Sequence, residues 1–151
     1  MDLDTICQQI LHYKVENKTE DFEITTFFDQ IGEEIHKLDI SDSSQKEKLI
    51  KVLFKFIKNQ NPEMEENFSF IHLIENIDTP NYKIYETELV KFAKENGTIT
   101  SILLLNRHIN SLDKIAQAEC LNILKSIAEN DNFTNLVRQE ALNYYNYQKE
   151  I

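Results

Sequence analysis

The chain has 151 residues, enough for one domain and hardly two, and a chain of this size can bury roughly 70% of its unfolded surface without disulfide or metal staples. Hydrophobic residues make up 41% and charged residues 28%, an ordinary globular composition, and two glycines with two prolines argue against turn-rich β architecture. A formal net charge of −10 argues against a general nucleic-acid binder and against docking on anionic membranes.

Helical periodicity dominates the chain from the start. Leu3, Ile6, Cys7, Ile10 and Leu11 follow the i, i+3, i+4 rule of an amphipathic helix. A second stripe runs Phe27, Phe28, Ile31, Ile35 and Leu38. A third helix is expected to start near "SDSSQKE", where Asp42 to Gln45 and Ser44 to Glu47 are capping-box spacings, and to bury Leu49, Ile50, Leu53, Phe54 and Ile57. In "NPEMEE", Asn61 can cap and Pro62 can take the first helical position, with Glu63, Glu65 and Glu66 complementing the helix dipole. "TPNY" repeats the device with Thr79 and Pro80, and that helix should run to Asn96, where Gly97 supplies a left-handed stop.

A short apolar helix over about 99–109 follows, and Arg107 on it is expensive to bury unless it meets an acid. Ser111 is the expected cap of the next helix, which carries Ile115, Ala118, Leu121, Ile123, Leu124 and Ile127. Asp131 or Asn132 is the expected start of the last, with Phe133, Leu136, Val137, Leu142 and Tyr145. The expectation is a single all-α domain over 1–151, with about eight helices in stacked antiparallel hairpins. It would be HEAT-like (α-solenoid-like) or an irregular bundle. Asn59, Asn96 and Asn130, some 34 to 37 residues apart near helix ends, fit the period of such stacked hairpins.

The opening segment is acidic rather than basic and does not read as a secretory signal, and no apolar run approaches a membrane span; the expected compartment is the cytoplasm. Cys7 and Cys120 sit among apolar neighbours, as buried free thiols do, and two cysteines cannot build a multi-bridge framework. Charge is unevenly placed. Residues 1–39 carry ten acids against three bases, residues 61–100 eight against three, and residues 40–60 five lysines against two acids. Solvated helix faces account for much of this pattern.

His72 and Glu75 are three residues apart on one side of a helix whose other side is Phe70, Leu73, Ile74 and Ile77. Metal ligation would need three or four convergent ligands, and neither a second histidine at helical spacing nor a cysteine pair is present. Catalysis by His72, Cys7 or Cys120 would need an oxyanion or phosphate cradle, and the chain has no glycine-rich loop or nucleophile elbow. The remaining reading makes Glu75 and Arg107 an ion pair between neighbouring helices, with His72 and Asn110 adding hydrogen bonds. No catalytic residue, metal or cofactor is expected.

"FSFIHLIENID", a tyrosine-containing helix, "LLLNRHINS" and "ECLNILKSIAENDNF" together resemble the Immunity protein 30 family. These are mainly helical proteins encoded beside bacterial polymorphic toxins. The likeness covers about residues 64–140: His72 and Glu75 match an I-H-x-I-E segment, and Arg107, Asn110 and Ser111 an R-x-x-N-S segment. The family often shows a tryptophan shortly before the leucine run, where this chain has Ile99 and Thr100. The resemblance implies a non-enzymatic inhibitor whose partner is a cognate toxin domain, basic and in many cases a nuclease, with no direct contact to nucleic acid or membrane. The expected partner-binding acids are Glu63, Glu65, Glu66, Glu86 and Glu88. The alternatives are a HEAT-like adaptor without a toxin partner and, further off, a small metal-dependent hydrolase.

Overall fold

The computed structural model describes residues 1–60, 63, 64 and 66–150. They form eight α-helices and no strand: α1 (Leu3–His12), α2 (Asp21–Leu38), α3 (Ser43–Asn59), α4 (Phe68–Asn76), α5 (Lys83–Asn96), α6 (Ile99–Ile109), α7 (Lys114–Ala128) and α8 (Asn135–Glu150). The all-α class and the helix number expected from periodicity are those observed. No helix among the described residues is long and apolar enough to cross a membrane. Packing groups the chain into two compact units, Met1–Glu88 and Leu89–Ile151, with the boundary inside α5.

In the first unit, local chemistry starts each helix and distant contacts orient it. Asp2 caps α1 by accepting from Thr5 N at 2.8 Å, and Asp42 caps α3 by accepting from Ser44 N at 2.7 Å. Helices α1 and α2 run antiparallel: the amino terminus lies 4.0 Å from Glu34 Oε2, and at the other end Tyr13 stacks on Phe27 with ring centroids 3.9 Å apart. Helices α1 and α3 run parallel, joined by the Asp4–Lys48 ion pair at one end and by Val15 N donating to Gln60 Oε1 at 2.9 Å at the other. Helices α2 and α4 are also parallel. Asn67 meets Asp21 at their starts, and farther along Leu73 Cδ1 is 3.7 Å from where a Cβ on Gly32 would sit.

The two hairpins α1–α2 and α3–α4 therefore stack like on like, the two-layer pattern of helical-repeat proteins. Phe28, Phe56 and Phe70, each essentially buried, form the centre, with ring centroids 5.1 to 5.8 Å apart. Phe56 lies outside the stripe read from the sequence.

The second unit repeats the arrangement. Phe133 lies against Gly97 at the start of α6, and Gln148 near the end of α8 donates to Asn106 Oδ1 at 2.8 Å and Asn110 Oδ1 at 3.0 Å, so α6 and α8 run parallel. Helix α7 returns between them as the antiparallel partner of α8, its C-terminal Ala128 carbonyl accepting from Arg138 Nε at 3.2 Å. Ile102, Leu105, Ile109, Leu124 and Ala141 are fully buried in this unit.

Several helix starts differ from the sequence expectation. Helix α4 begins at Phe68 with Asn67 as its cap, while Asn61 and Pro62 lie outside the described residues and Glu63, Met64 and Glu66 are not helical. Asp78, not Thr79, caps α5: its Oδ2 accepts from Ile84 N at 2.7 Å and Tyr85 N at 3.1 Å. Asp113 caps α7, because the Ser111 hydroxyl turns back to donate to His108 O at 2.7 Å. Thr134 takes the place expected of Asp131 or Asn132, its Oγ1 accepting from Val137 N at 3.3 Å. Gly97 ends α5 as expected, at φ +55° with its N–H donating to Ala93 O at 3.1 Å.

Candidate protein-binding surface

Three of the five lysines of residues 40–60 pair with acids inside the first unit. Lys46, whose side chain is 16% exposed, lies 3.8 Å from the buried Asp78 carboxylate. Lys48 pairs with Asp4, and the hydrogen bond to that carboxylate holds its ammonium pKa above the ordinary lysine value. Lys51 bridges Glu47 at 3.0 Å and Glu88 at 3.8 Å, and the hydrogen bond to Glu47, then the charge of Glu88, push its pKa up as well.

This distribution changes the standing of the expected acids. Glu63 and Glu66 are exposed in the segment between α3 and α4, and Glu65 lies outside the described residues. Glu86 is half-buried on the first turn of α5. Glu88 is only 13% exposed and faces Lys51, so little of its charge reaches solvent. Glu63 and Glu66 keep their exposure, and Glu63 also lines a cleft with acids of the α1–α2 connection.

A cleft of about 350 Å³ opens where the α1–α2 connection meets residues 63 and 64. Val15, Ile24 and the buried Met64 form its apolar lining, and Glu16, Glu20, Asp21 and Glu63 its acidic lining. Glu16, Glu20 and Asp21 have no ion-pair partner among the described residues. Local helix chemistry explains why acids gather here. Glu23 Oε2 accepts from Glu20 N at 2.7 Å at the start of α2, and carboxylates favour that positive end of the helix dipole.

Two large exposed apolar side chains adjoin this region in the chain. Phe22, next to Asp21 in the chain, is 69% exposed, and Phe68, next to Asn67, is 55% exposed. The buried Asn67 amide donates to Asp21 Oδ1 at 3.0 Å, which brings the starts of α2 and α4 together. The sequence signal for this site was the acid excess of residues 1–39, with Phe22 off the buried stripe of α2; no local pattern joined it to residues 63–68.

His72 is on the exposed side of α4, its ring centroid 6.0 Å from that of Phe68 and its Nδ1 4.0 Å from Glu75 Oε1, beyond hydrogen-bond range. Asn110 accepts from Gln148 in the second unit. Glu75 and Arg107 belong to different units, and their pairing is an expectation from sequence alone. Cys7 and Cys120 are buried free thiols, and burial pushes the Cys7 thiol pKa up, away from the reactive thiolate. Among the described residues, no group of three or more histidine, cysteine, aspartate or glutamate side chains could hold a metal ion. No family model matches the chain, no curated protein matches it, and no solved structure matches it.

Proposed function

We propose that the chain is an immunity protein that binds a cognate bacterial toxin domain and neutralises it by covering a basic active site, without chemistry of its own. The observation that carries this reading is the partition of charge in the first unit. Lysines 46, 48 and 51 are engaged by acids, while Glu16, Glu20 and Asp21 at the start of α2 have no ion-pair partner among the described residues. Such a face attracts a cationic surface and raises the encounter rate with it. A nuclease is the toxin class that fits, because its substrate cleft must be basic to hold phosphates. The cytoplasm of the toxin-producing cell is the proposed place of action.

The test is co-expression with the toxin domain encoded beside this gene. Cells should survive, and the two proteins should co-purify. Survival without a complex would sink the inhibitor mechanism. A second reading, a helical adaptor, is favoured by the stacked hairpins and by exposed Ile115, Leu136 and Tyr147 in the second unit. It predicts full binding partners but no rescue from any neighbouring toxin.

A further inference from the structure

We infer that a basic protein partner docks at the cleft beside Phe22 and Phe68, laying a lysine or arginine stem over Ile24 and Met64 and setting its cation against Glu16, Glu20 and Asp21. This rests on the proposed binding function and names the surface and the chemistry it takes. Lysine and arginine are amphipathic: an alkyl stem prefers apolar surface while the charged head seeks carboxylate or water. The cleft offers both, its lining combining buried Met64 and Ile24 with the exposed carboxylates of Glu16, Glu20 and Asp21. Its volume of about 350 Å³ suits side chains of one loop rather than a whole helix.

Charge complementarity selects the occupant. The α2 N-terminus contributes roughly half a positive charge and Lys18 stands in the same connection, but the four acids of the lining, Glu16, Glu20, Asp21 and Glu63, outnumber them, so the local balance is acidic. That balance repels nucleic acid and acidic peptides. The exposed phenylalanines then supply what a simple counter-ion site lacks. Aromatic side chains ringed by polar groups are the anchors that dominate protein interfaces, and two exposed ones adjoin the joined starts of α2 and α4.

The experiment titrates the isotope-labelled full chain with a short peptide alternating lysine and leucine, followed by amide chemical shifts. Controls are oligolysine and a peptide alternating glutamate and leucine. The expected result is shifts confined to residues 16–24 and 63–72, no response to the glutamate peptide, and weaker binding of oligolysine. Phe22→Ser, Phe68→Ser and the double variant E16Q/E20Q, all at surface positions, should each weaken the lysine–leucine peptide about tenfold. Shifts elsewhere, equal binding of oligolysine, or unchanged affinity in these variants would overturn the assignment. If F22S/F68S still holds the neighbouring toxin domain as tightly as the parent, the surface is wrong while inhibition stands. If the parent chain itself neither binds nor rescues, the functional reading fails.

Discussion

Asn67 and Asp21 tie two helix starts into one joint. The Asn67 side chain accepts from Phe70 N at 3.0 Å, capping α4, and donates to Asp21 Oδ1 at 3.0 Å and Thr25 Oγ1 at 3.1 Å on α2. With Asn67 only 2% exposed, water cannot replace these bonds. Asn67→Ala should cost about 1–2 kcal/mol and lower the melting temperature by roughly 3–8 °C. Asn67→Asp keeps the cap acceptor but sets a second carboxylate against Asp21. That repulsion raises a carboxyl pKa in the folded state, so the deficit should be full at neutral pH and shrink as pH falls below it. Thermal melts from neutral to acid pH check both outcomes, and a deficit independent of pH would refute the carboxylate contact.

Asp78 should be among the most sensitive positions outside the helices. Its side chain, 3% exposed, accepts from two backbone amides of α5 and faces Lys46. Asp78→Ala removes the cap and the carboxylate facing Lys46, which keeps only its bond to Thr79 O at 3.3 Å, an expected loss of about 2–4 kcal/mol or roughly 5–15 °C in the melting temperature. Thr79→Ala, at the position the sequence pattern favours, should change it by less than about 2 °C. A calorimetric comparison of the two variants decides between the caps.

Gly97 is constrained twice. Its φ of +55° disfavours any side chain, and a Cβ there would lie 2.8 Å from the Phe133 ring. Gly97→Ala should cost at least about 2 kcal/mol. Because part of that cost is the ring contact, Gly97→Ala should be less damaging in a Phe133→Ala background. Additive losses in denaturant titrations of the double-mutant cycle would show that the ring plays no part.

Asp42 predicts a pH signature at the start of α3. Hydrogen bonds from the Ser44 hydroxyl, then from the Ser44 and Gln45 amides, hold its carboxyl below the ordinary aspartate range. A depressed folded-state pKa gives stability that is fully present above the unfolded value of about 3.9 and lost as pH falls through the folded one. The difference in melting temperature between the parent and Asp42→Ala should therefore be flat from neutral pH down to the ordinary carboxylate range and narrow below it. A difference that narrows already between pH 7 and 5 would place its origin elsewhere.

Binding to the toxin domain should be steered by charge. The association rate is expected to fall about tenfold between ~20 mM and ~200 mM salt, with dissociation nearly unchanged. Glu16→Lys, an exposed change, should slow association and flatten the salt dependence. Stopped-flow measurements read both, and a salt-independent rate would remove the acidic cleft from recognition.

The sequence by itself determined the all-α class and the buried faces of α3 and α4, whereas Ile115, Leu136 and Leu142, expected on apolar stripes of the last two helices, are exposed. Leu49, Ile50, Leu53, Phe54 and Ile57 are all buried on α3, and Phe70, Ile71 and Ile74 on α4, with Phe68 and His72 outward. That much is legible because a helix repeats every 3.6 residues, and caps such as Asp42 and stops such as Gly97 act on neighbours a few positions away. Only the tertiary structure decided the rest. Asn67 starts α4, and Asp78 outranks Thr79, because each gains partners about 30 to 46 residues distant, Asp21 in one case and Lys46 in the other. The same holds for charge: Glu88 loses its field to Lys51, while Glu16, Glu20 and Asp21 keep theirs. Coulomb interactions depend on distance through space, and helix periodicity carries no record of which faces the chain will bring together.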